Sequence, residues 1–294
     1  MGKTGFYIFY GVNWIITLLP LRILYIFSDI LFLFLYYFPS YRRDIVTENL
    51  KNSFPEKSPE EIAAIGKKFY RHLADLIVET LKLTHLSNEE LKRRFKINNP
   101  EFLKKLYDSG RDLAAVHSHY NNWEWASCLP LYTDYKTVAI YKPLQNNHFN
   151  LFLNSLRMRN NTVMTPMNHV IRDIIENKKK NIRTYYGFAS DQTPALPDIK
   201  YYTDFLNQET PVFLGIEKIA EKYDMSVVFI NVQKEKRGVY NLTVELLFEQ
   251  TKGLPEYLVT NTHVKRLEEL IREKPEYWIW THRRWKYKRQ ETNG

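Results

Sequence analysis

The chain predicts an α/β fold: a mixed, largely parallel sheet flanked by helices. Three observations predict it. Short apolar runs at Leu113–Val116, Thr137–Tyr141, Thr184–Gly187 and Val227–Val232 have the length and content of buried strands. Stretches of helical character lie between them, and that alternation builds a parallel sheet with helices on its faces. The 294 residues suffice for one large domain of this class, and 44% hydrophobic content is ordinary for a globular core.

Taken in order, residues 5–38 come first. Phe6–Leu19 and Ile23–Phe38 are almost wholly apolar, interrupted by Pro20, Arg22 and Asp29. A membrane span needs about 20 apolar residues. Residues 1–40 are therefore expected to form a hydrophobic membrane anchor, either one long kinked helix or two shorter ones dipping into a leaflet; a buried core helix is the alternative. Lys3 precedes the segment while Arg42 and Arg43 follow it, so the positive-inside rule puts the bulk of the protein on the cytoplasmic side.

Ser58-Pro59-Glu60-Glu61 opens a helix, with Ser58 as cap, Glu61 reaching back and Pro59 at the first helical position. Ile65, Phe69, Leu73, Leu76 and Leu81 then recur at helical spacing. Ser87-Asn88-Glu89-Glu90 starts a second helix in the same way; Asn99-Pro100 starts a third, which Gly110 ends. Trp125–Leu129 reads as the apolar face of a helix, Val239–Phe248 as a solvent-facing strand, and Tyr257–Glu273 as an amphipathic helix. The segment Tyr277–Arg289 mixes aromatic and basic residues. It suits either a headgroup or nucleic-acid surface, or a tail packing its rings on the domain with its bases solvated. With no repeat, low-complexity tract or Gly/Ser linker, residues 41–294 are expected to be one catalytic domain.

Composition narrows the function. A formal charge of +9 favours anionic partners: nucleic acid, anionic lipid or an acidic carrier protein. Cys128 is the one cysteine, which excludes an internal disulfide framework and a multi-cysteine metal site. No Gly-rich phosphate loop is present, which disfavours a nucleotide enzyme.

The densest reactive stretch is His117-Ser118-His119-Tyr120-Asn121-Asn122-Trp123-Glu124, directly after a predicted strand. In parallel sheets, active sites lie at the carboxyl ends of the strands. His119 can take a proton from a hydroxyl near neutral pH, and Glu124 is a candidate to orient it. The competing chemistry is a metal-dependent hydrolase using His117 and His119. Against it, Asn121 and Asn122 stand where such hydrolases carry ligands, and His148, His169, His263 and His282 are scattered. Tyr141-Lys142-Pro143, Arg157-Met158-Arg159 and Ser190-Asp191-Gln192 are further candidates, whose cations could bind phosphate or an acidic carrier.

Together these blocks resemble the late acyltransferases of lipid A biosynthesis, the lauroyl/myristoyl family of Gram-negative bacteria. The resemblance runs nearly end to end. Arg43, Asn49-Leu50 and Phe54-Pro55 look like the family's opening; His119-Tyr120-Asn121-Asn122-Trp123-Glu124 looks like its H-x-x-N-W-E block, a form of the His-x4-Asp/Glu motif. Tyr141-Lys142-Pro143 is similar to its Y-R-P block with Lys for Arg, and Arg157, Arg159 and Asp191-Gln192 match its R-x-R and D-Q elements. The close, from Leu267-Glu268 through Trp280 to His282-Arg283-Arg284-Trp285-Lys286, is similar too. The Phe-x-Glu-Gly-x-Arg block of glycerolipid acyltransferases is missing.

The resemblance implies a glycerolipid-acyltransferase-like fold. It implies acyl transfer from an acyl carrier protein thioester to a hydroxyl of a lipid A precursor at the bacterial inner membrane, without a metal or organic cofactor. Another bacterial glycolipid or phospholipid acceptor is the alternative within the class. By resemblance His119 is the general base and Glu124 orients it. Arg159, Arg157, Lys142, Asp191 and Asn122 bind substrate or stabilise charge, and His117 is a structural neighbour.

Overall fold

A computed structural model describes residues 2–38 and 41–289. Positions 39–40, expected to end the anchor, and the last five residues of the expected catalytic domain lie outside the described residues. The helices are α1 (Lys3–Ile16), α2 (Leu21–Tyr37), α3 (Arg43–Ser53), α4 (Pro59–Lys82), α5 (Asn88–Arg94), α6 (Pro100–Asp108), α7 (Asn147–Arg157), α8 (Val170–Lys179), α9 (Gly215–Tyr223) and α10 (Leu258–Glu273). The strands are β1 (Phe95–Ile97), β2 (Leu113–His117), β3 (Lys136–Tyr141), β4 (Val163–Pro166), β5 (Thr184–Ala189), β6 (Tyr202–Phe205), β7 (Gln208–Pro211), β8 (Ser226–Lys236) and β9 (Val239–Phe248).

Seven strands form one sheet in the order β1-β9-β8-β2-β5-β3-β4, and β6 and β7 form a separate hairpin. Neighbours in the main sheet run parallel except β8 and β9, joined by the tight turn at Arg237-Gly238. The expected mixed, largely parallel sheet is what forms. β2 is central and fully apolar on both sides, Leu113, Ala114 and Ala115 being wholly buried, because helices cover both faces. One core layer gathers Phe69, Val116, Phe229 and Ile271, the other Trp125, Tyr185, Val228 and Leu242.

The capping box at Ser58 is complete: its hydroxyl accepts from the Glu61 N–H and its own N–H donates to the Glu61 carboxylate. Gly110, at φ +82°, follows α6 in the left-handed conformation that stops a helix. Trp125–Leu129 instead lies in a 3₁₀ helix, Glu124–Leu131, which contains Pro130. A proline inside the segment has no N–H to donate and disfavours a longer α-helix.

The N-terminal segment differs most from expectation. No helix among the described residues is long and apolar enough to cross a membrane. Pro20 divides the segment into two helices of 14 and 17 residues. Leu21, Leu24, Ser28 and Phe32 recur at helical spacing and are buried. Their neighbours bind α4 through polar groups: the Tyr25 hydroxyl donates to Glu79 (2.7 Å) and the Ser28 hydroxyl to Asp75 (2.7 Å). From the β8–β9 turn, Arg237 reaches Asp29 (2.8 Å) and Asp75 (2.6 Å), and its guanidinium lies 4.3 Å from the centre of the Tyr25 ring. Gly238 is required there twice over. Its φ is +71°, and a Cβ would sit 2.1 Å from the Tyr25 oxygen. The other face of the pair exposes Ile8, Ile15, Leu18, Ile26, Leu33 and Phe34.

Candidate active site

Two adjacent parallel strands build the site. β2 and β5 pair so that His117 stands opposite Ala189. Two residues beyond that register lie His119 on one strand's exit and Asp191 on the other's. Strand register alone therefore brings together residues 72 apart in sequence. Asp191 grips His119 with both oxygens, accepting from its ring Nδ1 at 2.7 Å and from its main-chain N–H at 2.8 Å. The indole of Trp278 donates to the same carboxylate at 2.9 Å.

This pairing fixes the tautomer. With Nδ1–H donating to a carboxylate, Nε2 carries the lone pair. Nε2 has the Gln192 amide nitrogen 3.3 Å away, and the Trp123 ring packs edge-on at 4.9 Å. Burial opposes charge on His119, but the facing Asp191 outweighs it, and Glu124 adds to that pull, so its pKa is raised. Burial would likewise raise the Asp191 carboxyl; His119 and Trp278 outweigh that and hold it at about 2. The pair can accept a proton at Nε2 and stabilise the resulting cation.

Glu124 was expected to orient His119. Asp191 makes that contact instead, and Glu124 is held by other groups. Arg157, from the end of α7, donates to both Glu124 oxygens, at 2.7 and 2.5 Å, and the Trp123 indole donates at 3.1 Å. Burial favours the neutral acid, but Arg157 outweighs it and keeps Glu124 ionised. The reason is local: Glu124 opens the 3₁₀ helix, and that turn carries its carboxylate toward α7. Asp191, expected to bind substrate, is a buried partner of His119 with its oxygens already engaged.

Three other expected binding residues have structural partners or none near at hand. Asn122 is wholly buried; its amide donates to Glu79 (2.7 Å) and its carbonyl accepts from the Trp125 N–H (3.1 Å), which ties the loop to α4. Arg159 donates from Nη1 and Nη2 to the main-chain carbonyls of Leu83 and Leu86 beyond α4, so part of its guanidinium holds the chain. Lys142 is exposed on the segment after β3. Asn121 adopts φ +55°, which asparagine tolerates better than most residues, and its amide donates to the Val232 carbonyl at 2.7 Å. These ties leave the His119 loop little freedom.

His117 sits beside the site as expected. Its Nε2 is 2.6 Å from the Tyr185 hydroxyl, and burial with the neighbouring His119 pushes its pKa down to about 4. Among the described residues no group of three or more His, Cys, Asp or Glu side chains could hold a metal ion, so the metal-hydrolase alternative has no ligand set. Trp278 was missed as a site residue. Its sequence signal was the aromatic-basic tail, and of the two readings of that tail the packed one holds: Trp278 and Trp280 are buried, while Arg283, Lys286 and Lys288 are exposed.

Comparison with known proteins places the chain. The family model described as bacterial lipid A biosynthesis acyltransferase matches residues 2–287. A lipid A biosynthesis palmitoleoyltransferase of Escherichia coli (strain K12) is 24% identical over 284 residues, covering 94% of this chain and 89% of that protein. A lipid A biosynthesis acyltransferase of Shigella flexneri is similar to the same extent. The chain belongs to the bacterial lipid A biosynthesis acyltransferase family and is an acyltransferase.

Proposed function

We propose that the protein transfers a fatty acyl chain from an acyl carrier protein thioester to a hydroxyl of a lipid A precursor, with His119 as general base and Asp191 orienting it. The observation that carries this reading is the Asp191–His119 pair, which leaves Nε2 as the free base. Nε2 takes the hydroxyl proton. The oxygen attacks the thioester carbonyl and forms the new ester bond; the carbon–sulfur bond breaks, and the thiolate leaves with the proton from His119. Glu124 contributes negative charge that favours the His119 cation, and it holds Arg157 beside the dyad, where a guanidinium can stabilise negative charge developing on the thioester oxygen.

Both substrates are anionic, and the +9 net charge favours them. The exposed apolar face of α1 and α2 lies in the interfacial layer of the inner membrane, on the cytoplasmic face, and anchors the catalytic domain without spanning. The name of the E. coli relative makes a palmitoleoyl thioester the first donor to try.

The test is transfer by the purified protein, followed by mass spectrometry of the acceptor. One added acyl chain that vanishes in His119→Ala is the expected result. A wild type that acylates no lipid A precursor from any acyl carrier thioester would overturn the reading, and acylation of a phospholipid instead would move the acceptor to the alternative.

A further inference from the structure

The carboxylate of Asp191 has a second neighbour that the dyad does not use. A cavity of about 10 Å³ lies against it. Four of the lining residues are apolar; the others are Ser190, Asp191, His263 from α10 and Arg284 from the C-terminal segment. Arg284 is 2% exposed and His263 4%. Neither Nε nor Nη1 of Arg284, nor Nε2 of His263, has a hydrogen-bond partner among the described residues. Unmet buried donors on a guanidinium are strongly unfavourable, and buried polar groups in native proteins are nearly always satisfied.

A space of this size is about enough for one water molecule. Water also fits the chemistry. Its oxygen accepts from Arg284, and one of its hydrogens reaches the lone pair of His263, which is neutral because burial brings its pKa down to about 4. The second hydrogen is left for the Ser190–Asp191 side. Arg284 stays charged at neutral pH, since burial lowers its pKa only to about 10, with the attraction of Asp191 opposing the drop.

We propose that this cavity is a binding site for one internal water held by Arg284 and His263, and that Arg284 is a positioning residue for the Asp191–His119 pair. The inference deepens the acyl-transfer reading. Asp191 bonds the His119 ring and lines the same cavity as the charged Arg284. The positive charge of Arg284 opposes a second positive charge on His119, so Arg284 holds the base nearer neutrality. The other groups facing the pair are Glu124 and neutral His117 from the β2 side, Arg157 from α7, uncharged Gln192 beyond β5, and His282, kept neutral by burial, from the C-terminal segment. Glu124 and Arg157 answer each other, which leaves Arg284 as the cation balanced chiefly by Asp191.

The experiment is an NMR titration of the His119 ring, which needs no turnover and so stands apart from the fate of the acyl-transfer reading. Arg284→Met should raise the His119 pKa by several tenths to about one unit, while Arg284→Lys leaves it near the wild-type value. An unchanged His119 titration in a folded Arg284→Met protein overturns the positioning role. If that variant does not fold, Arg284→Gln, which keeps an amide donor and drops the charge, carries the same expectation. The water is decided on the wild type by a crystal structure ordered enough to show solvent: density within hydrogen-bond reach of Arg284 Nε or Nη1 supports the site, and a dry cavity or a bulkier ion overturns it.

Discussion

Residues 3–37 and residues 275–289 look alike as sequence: both are rich in large aromatic side chains, with few acids. The fold uses them in opposite ways. In the N-terminal pair α2 lays one stripe on α4 and α1 packs Phe6 and Phe9 against Phe149 and Phe152 of α7, while Ile8, Ile15, Leu18, Ile26 and Phe34 stay in the open. The C-terminal segment buries Trp278 and Trp280 and half-buries Trp285. The difference follows from polar handles. Each tail tryptophan has an indole N–H that needs an acceptor in the interior, and each finds one: Trp278 on Asp191, Trp280 on the Pro275 carbonyl and Trp285 on Thr210. Ile8, Ile15, Leu18, Ile26 and Phe34 have no such group to fix them. The fixed side of the N-terminal pair carries the hydroxyls of Tyr25 and Ser28, the Asn13 amide and the main-chain carbonyls that Lys82 caps.

Four changes would sharpen or break this contrast. The largest effect belongs to the group that the C-terminal end serves. Asp191→Asn should lower kcat by roughly a thousandfold, with acceptor KM little changed. It should also move the acid limb of the pH–rate profile downward. The sign follows from the base working deprotonated: Asp191 raises the His119 pKa, so removing its charge lets His119 lose its proton at lower pH. A limb that stays in place would take Asp191 out of the mechanism. Next, Trp278→Ala should cost about 3–5 kcal/mol of stability, read by thermal unfolding, whereas Trp278→Phe should keep most of the packing and lose several-fold in kcat. If Trp278→Ala unfolds at the wild-type temperature, the tail is not the packed element described above.

On the N-terminal side, Tyr25→Phe should cost about 1–3 kcal/mol, because the buried Glu79 carboxylate loses one of its three side-chain donors, Tyr240 and Asn122 being the others. Smallest of all in stability, Ile26→Asp combined with Phe34→Asp should change it by less than about 0.5 kcal/mol per site while abolishing binding to vesicles of anionic lipid. A protein that floats with vesicles as well as the wild type would show that the exposed face is not the membrane surface.

Much of this was legible in the sequence, and the remainder failed for identifiable reasons. β2, β3, β5 and β8 were readable because each contains a short apolar run of strand length. β1 has three residues and β4 four, with Val163 exposed on the sheet edge, so neither carries a pattern long enough to read. His119 was legible from its place at a strand end. Its partner was not, because proximity in sequence favoured Glu124, five residues away, over Asp191, 72 away. Only the β2–β5 register decides between them. Arg159 and Asn122 illustrate a related limit: the residue type advertised a binding role, but the acceptors they satisfy, the Leu83 and Leu86 carbonyls and the Glu79 carboxylate, belong to remote turns of chain.

The contact between Tyr25 and the Arg237–Gly238 turn bears on how the molecule assembles. Arg237 and the Tyr25 carbonyl meet across 212 residues of chain. Closing so long a loop is slow compared with forming a helix or a hairpin, and this contact cannot form until β8 has turned into β9. The contacts of Tyr25 with the Arg237–Gly238 turn are thus among the last to form. Until then α2 has α4 as its partner, and the outward apolar stripe of the pair stays exposed.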